Sequence, residues 1–176
     1  MSMIILLRGR AGTGKSTLSN ELAKRLAYPV LHKDDIYDTV AGSVQEHSVR
    51  NRICFDFLYR FLADVISAKA HVILDFGFNQ PDDVLRLKSW IAERGGVLAT
   101  IHCHCSDERV WAQRLAARSV NPLPNQRITD LETLHSHYNA PDAHMAGELS
   151  VDTVLPIESS IATILSFLAY TRGTSA

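Results

Sequence analysis

Only three cysteines occur in these 176 residues, and two of them, Cys103 and Cys105, stand one residue apart. That is a poor disulfide framework and suits a reducing compartment, so a cytoplasmic location is expected. No apolar run reaches the roughly 18 residues that a membrane-spanning helix needs, and the apolar start at residues 3–7 is too short for a signal-peptide core. An excess of one charge is also missing. Eighteen Lys and Arg are interspersed with 19 Asp and Glu, for a net charge of −1. A nucleic-acid-coating surface or a membrane-docking patch is therefore not expected. Internal repeats and low-complexity segments are absent too. What remains is 46% hydrophobic and 21% charged, ordinary for a soluble globule. The length suits one domain over residues 1–176 with a substantial core.

Hydrophobic periodicity divides the chain into alternating strands and helices. Strands are expected at 3–7, 30–32, 72–74, 97–103 and 151–155. Helices are expected at 15–26, 48–68, from 79–83 to Gly95-Gly96, from Ser106 or Asp107 to near Arg118, at 128–138 and at 161–168. The long helix carries Ile53, Phe57, Leu58, Phe61, Leu62 and Val65 on one broad apolar side. Asn79 can cap the helix that Pro81 opens. Residues 36–47 read as mixed with a turn at Gly42-Ser43, residues 121–125 and 141–147 as loops, and the last few residues as frayed. This alternation predicts an α/β fold of three layers around a mainly parallel sheet. In such sheets, sites lie beyond the C-terminal ends of the strands. Lys15, Asp34 with Asp35, and Asp75 follow the first three strands, so three elements aim at one cleft.

The most specific signal is Gly9-Arg10-Ala11-Gly12-Thr13-Gly14-Lys15-Ser16-Thr17, which fits G-x-x-x-x-G-K-[S/T] without mismatch between a strand and a helix. The glycines let backbone N–H groups wrap phosphate oxygens at a helix N-terminus. Gly9, Ala11, Gly12, Thr13, Gly14, Lys15, Ser16 and Thr17 are thus the expected nucleotide-binding residues. Lys15 should reach the β- and γ-phosphates, and Ser16 should ligate Mg²⁺. Asp75, ending a buried strand, is the second expected metal residue. Phosphoryl transfer to a hydroxyl needs a carboxylate to orient it and take its proton. Of the adjacent acids Asp34 and Asp35, one would face the acceptor and the other cap the next turn; Asp35 is the favoured base. Arg114 and Arg118 share a helix face. Arg118 is expected to neutralise charge on the transferring group and Arg114 to help bind the nucleotide. The run His102-Cys103-His104-Cys105 suggests zinc, but strand neighbours point to opposite faces, so too few ligands converge. Asp75-Phe76-Gly77 spells a protein-kinase metal triplet, without the glycine loop and H-R-D segment that belong with it.

Four segments together, Gly9–Thr17, Leu31–Asp35, Val72–Asp75 with Asn79 nearby, and Arg109–Arg118 opening into a lid, resemble the small P-loop kinases of the nucleoside-monophosphate-kinase-like group. The resemblance is to the branch of predicted kinases, AAA-type ATP-binding proteins, that includes the kinase domain of phage polynucleotide kinase, zeta toxins and chloramphenicol phosphotransferase. It implies a P-loop fold with a five-stranded parallel sheet of order 2-3-1-4-5, acceptor-binding helices at about 36–68 and a small lid at about 119–127. It implies ATP and Mg²⁺ as cofactors, with adenine between the lid helix and the loop near Pro156. It carries the base to Asp35, the third-strand aspartate to Asp75 and the lid arginine to Arg118. One departure is Ile36-Tyr37-Asp38, where the polynucleotide branch has an arginine; an acid there counts against a nucleic-acid substrate. A small molecule with a hydroxyl is the expected acceptor, in a pocket supplied by Tyr37, Arg50, Phe57 and Tyr59, and the protein is expected as a monomer or homodimer. The alternatives are a nucleotide-binding regulatory ATPase and a polynucleotide or nucleotide-sugar kinase. A GTPase reading lacks D-x-x-G and N-K-x-D, and a transporter ATPase lacks an L-S-G-G-Q-like signature.

Overall fold

The computed structural model describes residues 1–138, 142 and 144–173. Five strands form one parallel sheet: β1 (Ser2–Arg8), β2 (Val30–His32), β3 (Val72–Asp75), β4 (Gly96–His104) and β5 (Leu149–Asp152), in the spatial order β2-β3-β1-β4-β5. All four pairings are parallel, and Leu7, His32 and Asp75 lie level at the carboxyl end. The fold is the expected three-layer α/β arrangement with sheet order 2-3-1-4-5.

Alternation along β1 explains the layers. Ile4 and Leu6 enter one core, with Leu58, Leu62 and Ile66 of α3 (His47–Ser67) and Val84, Leu87 and Ile91 of α4 (Pro81–Ala92). Met3, Ile5 and Leu7 enter the other, with Leu18 and Leu22 of α1 (Lys15–Leu26) and Ile161, Ile164 and Leu168 of α7 (Ile157–Gly173). A strand covered on both faces needs a continuous apolar run, which is what residues 3–7 supply. Leu58 and Leu62 are fully buried, and each such side chain contributes roughly 1.5–3 kcal/mol of transfer free energy.

Several boundaries differ from expectation. Residues 33–40 form a helix, α2 (Lys33–Val40), rather than the start of a mixed segment; Asp34 and Asp35 in its first turn favour the helix dipole. The buried stripe of α3 is Cys54, Leu58, Leu62, Val65 and Ile66; Phe57 is outside it, exposed and stacked on Phe61. The residue before α4 is Gln80, not Asn79, and Asn79 donates to the Gly77 carbonyl instead. Asp107 caps α5 (Glu108–Ala117), accepting from the N–H groups of Arg109 and Val110. Asp130 caps α6 (Leu131–His137), which starts three residues later than periodicity implied. β5 starts two residues before the expected 151 and ends at Asp152, because Thr153 turns back toward the glycine loop. Pro141 of the expected 141–147 loop and the terminal residues 174–176 lie outside the described residues. Among the described residues, no helix is long and apolar enough to cross a membrane.

Candidate active site

β1 ends against β4, and the glycine loop begins in that contact. A Cβ on Gly9 would lie 2.1 Å from the Cys103 carbonyl oxygen, and its φ of +138° is one that L side chains rarely adopt. Gly14, at φ +86°, is the residue before α1 and turns the chain into it. Thr13 is buried behind the loop. Its hydroxyl donates to the Arg10 carbonyl at 2.9 Å, and its own carbonyl accepts from the Thr153 hydroxyl at 2.7 Å. Lys15 Nζ donates to the Arg10 carbonyl at 2.8 Å. Trp111 on α5 donates its indole N–H to the Ala11 carbonyl at 2.8 Å. The loop is thus tied to β5 and α5 before any ligand arrives.

Level with the loop, the Ser16 hydroxyl donates to Asp75 Oδ2 at 2.6 Å, and His32 Nδ1 lies 2.9 Å from the same oxygen. His32 Nε2 lies 3.1 Å from Asn20 Oδ1. Both ring nitrogens face oxygens, and the imidazolium satisfies both. The hydrogen bond to Asp75 raises the His32 pKa against the opposing effect of burial. Burial pushes the Asp75 carboxyl up, but the His32 hydrogen bond, the Lys15 charge and the Ser16 hydrogen bond together hold it below its ordinary value. An ionised carboxylate beside a serine hydroxyl is an oxygen donor set that fits Mg²⁺.

These groups border a cavity of roughly 780 Å³. Gly9, Ala11, Gly12, Gly14, Lys15, Ser16, Thr17, Asp75, Arg114 and Arg118 are on its wall, as the sequence led one to expect; Thr13 is not. The adjacent acids separate. Asp34 is on the wall and Asp35, the next helical position, is off it; both are solvent-exposed. Partial enclosure and the neighbouring Asp75 charge raise the Asp34 pKa, with Lys15, Lys33 and Arg118 opposing. Arg114 reaches Thr153 twice, through its hydroxyl and its carbonyl, both at 2.8 Å. It therefore braces the glycine loop's neighbour as well as lining the cavity.

The acceptor side differs from the expected set. Tyr37, Arg50, Phe57 and Tyr59 are not on the wall. Tyr37 is buried and hydrogen-bonds His47; Arg50 is bound to the carbonyls of Ala41, Val44 and Gln45; Tyr59 packs edge-on against Trp90. Their places are taken by Lys33, His47, Asn51, Arg127, Thr133, His137 and Tyr138. Asp38 accepts hydrogen bonds from the backbone and side-chain N–H of Asn125, and so holds the 119–127 segment to α2 rather than facing a substrate. That segment and α6 are anchored by a small core of Leu115, Ile128 and Leu134. His32 was the one group the strand pattern could have supplied: a polar residue ending β2, level with Asp75, has to face it. His47 and Asn51 lie one turn apart at the start of α3 and Tyr138 follows α6; the i, i+4 pair is local, but nothing in the sequence joins it to Tyr138.

The His102–Cys105 run does not build a metal centre. Cys103 and Cys105 are buried free thiols, and burial pushes Cys103 up to about 12. His102 Nε2 lies 3.0 Å from Asp142. Among the described residues, no group of three or more His, Cys, Asp or Glu could hold a metal ion.

A family described as an AAA domain matches residues 4–137. No curated protein matches. Solved structures do. A candidate kinase from Chloroflexus aurantiacus J-10-fl is 22% identical with a TM-score of 0.75, covering 97% of both chains. A gluconokinase from Sinorhizobium meliloti 1021 is 20% identical with a TM-score of 0.58, covering 94% of this chain and 91% of that one. The APS kinase CysC of Mycobacterium tuberculosis is 10% identical with a TM-score of 0.64, covering 96% and 97%. At these identities the likeness is one of fold.

Proposed function

Since this chain belongs to the AAA domain family, we propose that it transfers the γ-phosphoryl group of ATP to a hydroxyl of a small molecule. The observation that carries the proposal is Asp34. It is the acid on the cavity wall with a raised pKa, within electrostatic reach of Lys15, Arg118 and Asp75. A carboxylate so placed can accept the hydroxyl proton as the acceptor oxygen bonds to phosphorus and the bond to ADP breaks. The base is therefore assigned to Asp34 in place of Asp35.

The glycine loop supplies N–H groups and Lys15 to the phosphates. Ser16 and Asp75 would hold Mg²⁺, which when bound neutralises phosphate charge and orients the phosphates. Ser16 and His32 both engage Asp75 Oδ2, so Oδ1 is the oxygen that would serve the metal or its water shell. Arg118, half-buried at the end of α5, stabilises the transferring group. The 119–127 segment with α6 acts as a lid that excludes water; an open site would hydrolyse ATP instead. Thr153, Leu155 and Ile157 on the wall after β5 supply the nucleobase side.

The test is ADP release with Mg²⁺ across a panel of sugars, nucleosides, hydroxy acids and aminoglycosides, with Asp34→Asn as control. Acceptor-stimulated turnover that Asp34→Asn abolishes supports the reading. Tight ATP binding without stimulation by any hydroxyl compound favours a regulatory ATPase instead.

A further inference from the structure

On the acceptor half of the cavity the basic groups outnumber the carboxylates among the described residues. Lys33 and Arg127 are both on its wall, and among the described residues neither forms an ion pair. Lys33 Nζ rests over the Phe55 ring, 5.3 Å from its centre. Lys15 and Arg118 belong to the phosphate end, where triphosphate charge is expected. That leaves two basic groups, Arg127 and Lys33, the latter with its pKa lowered by burial, around one carboxylate, Asp34, on the acceptor side; an anionic acceptor would favour their charged forms, and a neutral one would not.

A second, independent feature lies on the same wall. The side-chain oxygens of Asn51 and Asn79 are buried without a hydrogen-bond partner. Buried amide oxygens are nearly always paired, so two orphans on one cavity call for a ligand. Asn51 is held from behind. Its amide nitrogen lies 2.8 Å from His47 Nε2, and His47 Nδ1 lies 2.8 Å from the Tyr37 hydroxyl. Burial, with Arg127, Lys33, His137 and Arg50 nearby, lowers the His47 pKa and favours the neutral ring that accepts from Asn51. The amide oxygen is then the group left over. A hydroxyl can donate to it, and could also accept from the nitrogen if the amide were reversed.

We infer that the acceptor is a small polyhydroxylated anion, with its carboxylate or phosphate seated at Lys33 and Arg127 and further hydroxyls at Asn51 and Asn79. This rests on the phosphotransferase reading above and narrows its substrate class. The reacting hydroxyl lies at Asp34, between the anion seat and the triphosphate.

The experiment is a matched-pair assay of ADP release: gluconate against glucitol, glycerate against glycerol, ribose 5-phosphate against ribose. In at least one pair the anionic member should be preferred in kcat/KM by about tenfold or more, the worth of one charged hydrogen bond. Lys33→Met and Arg127→Met should each raise KM for that anion about tenfold and leave KM for ATP within about threefold. A site in which these residues are merely structural would not split the two constants. Neutral members used as well as their anionic partners, or variants that leave the acceptor KM unchanged, would overturn the inference while the kinase reading stood. Use of no anion in any pair would also overturn it. Failure of the kinase reading would show separately, as ATP binding with no stimulation of turnover by any hydroxyl compound, neutral or anionic.

Discussion

Two successive residues on a helix point about 100° apart, and of the pair Asp34 and Asp35 only Asp34 lines the cavity. The chain shows that an acid pair follows β2; it does not show the phase of α2, which begins at Lys33. With the helix starting one residue before the pair, Asp34 lines the cavity and Asp35 does not. Asp34→Asn should lower kcat by about 10²–10⁴-fold, the usual range for a lost general base, while Asp35→Asn should stay within about threefold. The pH dependence follows from the raised Asp34 pKa. Turnover needs the ionised form, so the acid limb of kcat/KM should lie above the ordinary carboxylate value and disappear in Asp34→Asn. Stability runs the opposite way. A carboxyl whose folded pKa is raised binds its proton more tightly when folded, so its contribution falls as pH rises from about 3.8 through the raised value. Asp34→Asn should therefore unfold at a somewhat higher temperature than the parent at pH 7, with the gain fading toward pH 4; solvent screening keeps it small. Calorimetry at two pH values checks this, and a less stable variant at pH 7 would contradict the assigned surroundings of Asp34.

Between elements, the decisive contacts are those that hold the glycine loop to its neighbours. Arg114 on α5 makes two hydrogen bonds to Thr153, and the Thr153 hydroxyl also reaches the carbonyls of Thr13 and His104. Helix periodicity placed Arg114 and Arg118 on one face, and both do line the cavity. Periodicity could not reveal that Arg114 spends its guanidinium on the turn after β5, because Thr153 is 39 residues away. Likewise Asp38 looked like a repulsive acid beside a substrate, and its partner Asn125 lies 87 residues on. Strand and helix identities were legible because burial writes a period into the sequence; pairings across the fold leave no such trace. Arg114→Ala should cost about 1.5–3 kcal/mol, the range for hydrogen bonds to a charged group, or roughly 3–12 °C in Tm. Arg114→Lys should recover little, since a lysine cannot present two parallel donors. If Arg114 also touches the nucleotide, KM for ATP should rise more in Arg114→Ala than in Thr153→Ala. Equal effects would confine Arg114 to bracing the loop.

Across the whole molecule, the alternation of strands and helices implied a mainly parallel sheet, and the strand order came out as the resemblance to small P-loop kinases implied. What the composition concealed is a fully buried charge at the centre of that sheet. Arg8 is the last residue of β1, next to the glycine loop, and none of it is exposed. Its guanidinium meets Glu148, just before β5, at 2.8 Å through Nε and 2.5 Å through Nη2, and lies 3.5 Å from the Phe78 carbonyl. Glu148 also accepts the Met145 N–H at 2.6 Å. The pair thus ties β1 to the entrance of β5 and to the segment after β3, directly beneath the site. Taking both ions out of water costs several kcal/mol each, so the bridge need not be a net source of stability. Breaking it is another matter, because a single substitution takes this partner from the buried charge that remains. Glu148→Leu should destabilise the protein by about 3–5 kcal/mol, lowering Tm by roughly 6–20 °C. Arg8→Met combined with Glu148→Leu removes both charges and should recover most of that loss. Denaturant unfolding of the parent, the two single variants and the double variant measures the coupling directly. A double variant as unstable as the sum of the singles would mean that the two side chains act separately, and that the packing around each, not the ion pair, holds the carboxyl edge of the sheet together.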